Sequence, residues 1–369
     1  MIQKIKADNF KCFEHISLEL SGLNLLSGIN SMGKSTLVQM LLLLRQSYDQ
    51  NALEKGIYLN GKYTNLGIGR DVLYTDAKEN LIRISIEDEQ RQLYTEYDYN
   101  GAADFLKLTS SVQMDEVKDI NLFGNGFHYI AADRLGPQSS YEKSYYEVWE
   151  NKQVGNHGEY AVHYLHTHEL EDVENERVLY DGEENIRLLK QVECWMGEIT
   201  PGISLRMEEY GHSNRIGLTV HQEGNIGADY FTAQNVGFGI SYVLPIVLSL
   251  LKAKSGELLI LENPEAHLHP KGQRKMGELI ARAAQGGVQI ILETHSDHVL
   301  NGIRLCAKKG EINPDIVKLY YFTREKRRES GEDRIVPVVE NPVLNKDGRL
   351  SFWPEGFFDE WDKAIDDLF

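Results

Sequence analysis

Three features of the sequence predict an α/β fold built on a largely parallel sheet. From Asn235 onward, apolar strand patterns alternate with helix patterns, the order that right-handed crossovers impose on parallel strands. The segments "NLIRISIEDE" and "RQLYTEYDYN" instead alternate apolar and polar residues with period two, so an antiparallel subdomain accompanies that sheet. Finally, "GINSMGKST" (residues 28–36) joins an apolar strand to an apolar helix, with glycines where the backbone must curl tightly.

The elements follow in order. "IQKIKADNF", "ISLEL" and "LNLLSG" read as strands, and "STLVQMLLLLRQSY" as a helix apolar on nearly every face and therefore buried. After the antiparallel pair comes a strand within "FHYIAADRLGPQ", broken by Gly136 and Pro137. Residues 140–200 turn polar, acidic and tyrosine-rich and end in the amphipathic "NIRLLKQVECWMGEI". They read as a helical insertion, which divides the chain into 1–139, 140–200 and 201–369. Two strands, "ISLRMEEY" and "RIGLTVHQ", precede the alternating part. There a helix at 240–253, strand "ELLILE", a helix after Pro270, strand "VQIILET", a helix after Ser296 and strand "DIVKLYYFT" succeed one another. The ending "WPEGFFDEWDKAIDDLF" reads as an acidic-aromatic amphipathic tail, a packing or docking segment.

Composition narrows the functional classes. The chain's 369 residues suffice for a substantial core, and 41% hydrophobic with 26% charged residues is ordinary for a globular protein. Cys12, Cys194 and Cys306 form no CxxC pair, which argues against a disulfide framework or zinc knuckle and fits a reducing cytosol. The opening mixes charge into every turn, unlike a signal peptide, and the longest apolar stretch, "YVLPIVLSLL", is about half of what a membrane crossing requires. A soluble cytoplasmic protein is expected. A net charge of −17 discourages a whole-surface attraction to DNA or anionic lipid, leaving open a local basic patch or a basic partner.

Residues 28–36 match G-x-x-x-x-G-K-[ST] in the strand–loop–helix context that gives the motif meaning. Gly28 and Gly33 let the N–H groups of the loop, through Asn30, Ser31 and Met32, curl around phosphate oxygens, and the helix N-terminus at Ser35 and Thr36 adds positive potential. Lys34 would reach the outer phosphates and the Ser35 hydroxyl would ligate Mg²⁺, so ATP and Mg²⁺ are the expected cofactors. The bland alternative is a glycine turn of similar spelling. Further on, "LLILENPEAHLHP" ends an apolar strand in Glu262, a common way to hold Mg²⁺ beside a nucleotide.

Taken together, "IKADNFKCFEHISLEL" before "LLSGINSMGKST", then "NVGFGIS", "LLILENPEAHLHP" and "IILETHSD" in that order, resemble the RecF/SMC/OLD branch of ABC-type ATPases, the "AAA-like" ATPases common in bacterial defence loci. The ending "WPEGFFDEW" is similar to a C-terminal segment of one subgroup of it. The resemblance implies an ABC-type ATPase head that dimerises around ATP, with Gly237, Gly239 and Ser241 of a signature loop meeting the partner's γ-phosphate and His295 sensing it. A plain tight turn capping the 240–253 helix remains the alternative for the glycines, and for His295 a strand-end residue before the natural N-cap Ser296. Gln138 is the candidate for the Q-loop role at the metal, with Arg134 as its rival. Glu262 takes the Mg²⁺-associated position.

Asn263 falls where the family usually places the glutamate that orients the attacking water. An amide hydrogen-bonds water but cannot act as a base. Positioning and electrostatics dominate phosphoryl transfer, so hydrolysis is expected to be slow rather than lost. Glu265 either supplies the missing carboxylate or is a surface charge on its loop.

Other signals carry less. His157, His163, His166 and His168 lack a completing ligand and read as a solvated polar helix before they read as a metal site. His267 and His269 read as shaping the loop after the acidic strand, and "REKRRE" as the solvated tip of a hairpin or a nucleic-acid contact. The resemblance implies a regulatory ATPase that holds or releases a separate effector, a nuclease or toxin, in antiphage defence. The chain ends soon after His295 and has no room for a long coiled coil, so any cutting is expected from a partner. A RecF-like DNA-repair clamp and a non-hydrolysing nucleotide-dependent scaffold are the rival readings.

Overall fold

The computed structural model describes residues 1–198, 202–222, 230–235, 239–329, 332–358 and 365. It divides into two compact units, Met1–Phe127 with Asp315–Leu344 and Leu350–Phe369, and His128–Pro314 with Asn345–Arg349.

In the first unit, strands Phe13–Glu19, Lys4–Phe10, Leu81–Glu87 and Gln92–Asp98 form an antiparallel sheet in that order. The period-two patterning decides its faces: Ile5, Ala7, Ile82, Ile84, Ile86, Leu93 and Tyr97 all turn inward, and a one-residue slip would expose the whole set. Strand Leu23–Gly28 is buried along almost its whole length and pairs in parallel with Val317–Glu329, Gly28 standing opposite Phe322. Val317–Glu329 continues antiparallel into Glu332–Glu340, so "REKRRE" runs along this hairpin. Helix Lys34–Asp49 buries Leu37, Val38, Met40 and the run Leu41 to Leu44, in keeping with its all-round apolar spelling. Near its end Arg45 ion-pairs with Asp49 at 2.9 Å and donates to the Leu122 and Gly124 carbonyls. Of the C-terminal segment, Phe357 is fully buried with its ring edge-on to Tyr321 at 5.2 Å. Most of the amphipathic tail lies outside the described residues.

In the second unit, Gln289–Glu293, Leu258–Glu262 and the strand ending at Ile130 are neighbours in that order, the first two parallel with Glu262 level with Glu293. Helices Pro270–Gln285 and Asp297–Lys309 cross with almost no side chain between them. A Cβ on Gly277 would stand 2.1 Å from the Val299 carbonyl oxygen, and one on Gly302 would stand 2.2 Å from that of Arg274. Strands Ile203–Glu209, Arg215–Gln222 and Phe231–Thr232 make a second antiparallel sheet, to which Tyr141–Glu142 adds. Within 140–198 lie the helical stretches Tyr146–Glu150, Ala161–His168 and Leu188–Gly197.

The histidine reading needs a correction. His163 and His168 are buried, not solvated, and His168 packs between Tyr164 and Trp149 while its Nδ1 meets Glu171 at 2.7 Å. Helix Ala161–His168 turns its aromatic side toward the core, where burial outweighs the polarity of two imidazoles. Among the described residues no three His, Cys, Asp or Glu side chains are grouped as a metal ion requires, and no helix is long and apolar enough to cross a membrane.

Candidate nucleotide site

The phosphate loop belongs to the first unit, and its shape is enforced by close packing. Gly28 has φ 136° and Gly33 has φ 105°, a region that favours glycine. A Cβ on Gly28 would lie 2.1 Å from the Phe322 carbonyl oxygen, and one on Gly33 would lie 2.2 Å from the Phe13 ring and 2.9 Å from Cys12 Sγ. The hairpin tip "KCF" therefore packs onto the loop. Ser31 also has positive φ, at 66°. Asn30, Ser31 and Ser35 are exposed, Met32 half-buried, and Lys34 and Thr36 buried. The Lys34 ammonium folds back onto its own loop, donating to the Gly28 carbonyl at 2.9 Å and the Ile29 carbonyl at 3.0 Å. Helix Lys34–Asp49 begins at Gly33 without a side-chain cap and with no acid in its first turn, so its N-terminal potential is undiminished.

The acidic strand ends belong to the second unit. Glu262 accepts from the Tyr129 hydroxyl at 3.2 Å and the Ala132 N–H at 3.3 Å. Burial, then repulsion from the Glu293 carboxylate on the neighbouring strand, pushes its pKa up to about 7. Glu293 itself is buried. Sequence reading missed it, although an acid directly before Thr294 on an otherwise apolar strand was the available signal.

Arg134 is the organising cation here. Buried, and with its pKa drawn down to about 10 chiefly by that burial, it donates to the carbonyls of Ala131, Glu262 and Asn263, each at 2.7 Å. Its rival Gln138 is exposed and has no side-chain hydrogen bond to Glu262, while its backbone N–H donates to the Tyr141 hydroxyl at 3.3 Å. The two readings separate because the chain turns outward after Arg134.

Asn263 sits at φ 44°, its N–H donating to the Glu293 carbonyl at 2.8 Å. Its side-chain Oδ1 is buried without a hydrogen-bond partner. Glu265 is no loose surface charge: it accepts from Thr294 Oγ1 and from the His295 N–H, both at 2.7 Å. His295 is exposed, and Ser296 beside it is the true N-cap of helix Asp297–Lys309, accepting from the Val299 N–H at 3.1 Å.

Helix Gly239–Lys252 starts close under the loop after the acidic strand. A Cβ on Gly239 would be 3.2 Å from the His267 carbonyl oxygen, and Tyr242 packs on the His267 ring with centroids 4.2 Å apart. The Ser241 hydroxyl differs from expectation, being buried and 3.1 Å from the Tyr141 hydroxyl rather than turned outward. Gly237 lies outside the described residues.

A strand, a glycine loop with a lysine folded upon it and an apolar helix define a P-loop ATPase fold, and here the fold is of the ABC type seen in SMC heads. Two solved structures carry that likeness, each 12% identical with a TM-score of 0.50. One is an Smc head bound to the C-winged helix domain of ScpA, matching 91% of this chain and 98% of that one. The other is the Smc head domain with an extended coiled coil, bound to the C-terminal domain of ScpA, from Pyrococcus furiosus, matching 100% and 99%. Residues 23–301 match the family described as "AAA domain, putative AbiEii toxin, Type IV TA system", and the chain belongs to that AAA family. Residues 312–368 match a second family, described as a protein of unknown function, DUF3696. No curated protein matches the chain.

Proposed function

We propose that this protein binds Mg²⁺-ATP, hydrolyses it slowly, dimerises around it and thereby regulates a separate effector, a nuclease or toxin, in bacterial antiphage defence. The observation that carries the reading is the loop of residues 28–36, where close packing leaves no room for a Cβ on Gly28 or Gly33 and an ammonium rests on carbonyls. Such a cradle of N–H groups with one mobile cation fits a triphosphate. We assign Lys34 and Ser35 to the phosphates and their metal, and Glu262 to the metal. When bound, Mg²⁺ would neutralise charge on the phosphates.

The protein's own groups would then act as follows. Lys34 exchanges two carbonyl acceptors for phosphate oxygens, a move that keeps its cation paired throughout. Glu262, held by Tyr129 and Ala132, gives up its proton more readily once a cation faces it. The orphaned Oδ1 of Asn263 suits an acceptor for a water molecule, which it orients without taking its proton. Both oxygens of Glu265 are engaged with Thr294 and His295, so we assign it to positioning the exposed His295 rather than to proton transfer. An amide at Asn263, with Glu265 engaged by Thr294 and His295, supports slow turnover, which suits a switch that must persist long enough to be read. The toxin–antitoxin description of the AAA family and the partner domains bound to the Smc heads support an effector.

The test is phosphate release with Mg²⁺-ATP by the native protein, Lys34→Ala and Asn263→Glu, with mass in solution measured with and without ATP. Slow turnover lost in Lys34→Ala and raised in Asn263→Glu, with ATP-dependent association, is the expected result. ATP binding and association without release in any of the three would favour the scaffold reading. Neither release nor association would overturn the proposal.

A further inference from the structure

The second unit carries an aromatic cluster on its surface that the nucleotide chemistry does not use. Tyr145 and Tyr146 are 67% and 65% exposed and Trp149 is 42% exposed, a costly display unless a partner covers it. The Tyr145 and Trp149 rings stack at 6.0 Å, and Trp149 packs against buried His168 at 5.3 Å, which anchors the pair to helix Ala161–His168. Tyr145 and Trp149 are thus anchored by packing, as residues that dominate interface energetics usually are. Leu170, two residues beyond His168, is 66% exposed.

The surroundings state what the cluster would accept. Residues 142–184 hold twelve acids against three bases. Of those bases, Lys143 is paired with Glu209 at 2.8 Å, and Lys152 places its ammonium 5.3 Å from the centre of the Trp149 ring. The ring therefore already receives a cation from its own chain. Glu150 next to Trp149 is exposed, and Glu171, held by His168, lies on the exposed rim. Aromatic faces with carboxylates around them attract guanidinium and ammonium groups through the ring quadrupole and long-range charge, and they repel a nucleic-acid backbone.

We infer that Tyr145, Tyr146, Trp149 and Leu170 form a docking surface for a basic, arginine- and lysine-bearing segment of a partner protein. The arginine side chains would stack on the tyrosine rings while the acidic rim sets orientation and approach. The surface lies wholly within the second unit, and the inference stands apart from the nucleotide chemistry.

A test uses this 369-residue chain without nucleotide and a fluorescein-labelled peptide of alternating Arg and Leu, read by anisotropy. An Asp-for-Arg peptide and a single-stranded oligonucleotide serve as competitors. Saturable binding that weakens with salt, falls about tenfold in Trp149→Ala and in Tyr145→Ala/Tyr146→Ala, and is not displaced by either competitor is the expected result. The Glu150→Lys variant, whose change lies on an exposed side chain, should weaken the peptide several-fold while melting like the native protein. Peptide binding unaffected by these substitutions would overturn the inference, as would preference for the oligonucleotide. Self-association that disappears in Trp149→Ala would likewise overturn it, making a second copy the occupant.

Discussion

The loop at residues 28–36 and the loop at residues 262–265 are both strand-end turns, yet they are built in opposite ways. The first is shaped by what is missing: two glycines have no Cβ because the Phe322 carbonyl and the Phe13 ring already fill that space. The second is shaped by what is added. A buried guanidinium ties three carbonyls, a carboxylate bridges to the next strand end, and an asparagine is held at positive φ. A backbone cradle tolerates almost no substitution, whereas a side-chain scaffold can be loosened one bond at a time.

That contrast can be broken most sharply at Gly28. Gly28→Ala should cost roughly 3 kcal/mol and abolish nucleotide binding, because the strained φ and the collision with the Phe322 carbonyl both act on paired strands. Denaturant unfolding and a fluorescent-ATP titration would measure the two losses, and native-like behaviour would show that the cradle is not packing-enforced. Arg134→Met should cost about 2–3 kcal/mol, since it strands three carbonyls while relieving a burial penalty. It should leave fluorescent-ATP binding far less affected than Gly28→Ala does. Equal damage to binding would erase the distinction between the loops.

A half-buried lysine of the second unit sharpens the same point. Lys252 is drawn in among His128, Tyr164 and the Lys152 carbonyl, and desolvation brings its pKa down to about 7 against partial compensation from Glu257. The unfolded chain therefore binds more protons than the folded one between about pH 7 and the ordinary lysine range, so this group makes stability rise with pH across that window. Lys252→Met should raise stability by about 1–2 kcal/mol at pH 6–7 and flatten that rise, as read by urea unfolding across pH. Unlike Arg134, Lys252 has one carbonyl to hold, so its removal gains where that of Arg134 loses. The smallest effect is expected at Asn263. Asn263→Gly relieves a positive φ and removes a buried, unpartnered Oδ1, for a gain of about 0.5–1 kcal/mol accompanied by slower phosphate release. Faster release would deny the amide any part in placing water.

Legibility in the sequence follows the same division. The α/β class, the strand patterns and the phosphate loop could be read directly because each is written in contiguous residues with a short period or fixed spacing. Glu293 escaped notice because its importance arises only when two parallel strands bring it level with Glu262. Arg134 and Gln138 were indistinguishable as spelling, four residues apart, until the chain direction turned one inward and the other out. The histidines of helix Ala161–His168 read as solvated because helical spacing does not say which face meets a core.

The sequence by itself determined the parts of this protein that rest on local backbone rules, namely glycine at positive φ, apolar periodicity and an acid at a strand end. Only tertiary structure decided which carboxylate answers which donor, that Ser241 turns inward to Tyr141 and that Ser296 caps while His295 stays outside. The physical reason is that steric permission is a property of a few bonded atoms, whereas burial and electrostatic pairing depend on neighbours contributed from distant parts of the chain.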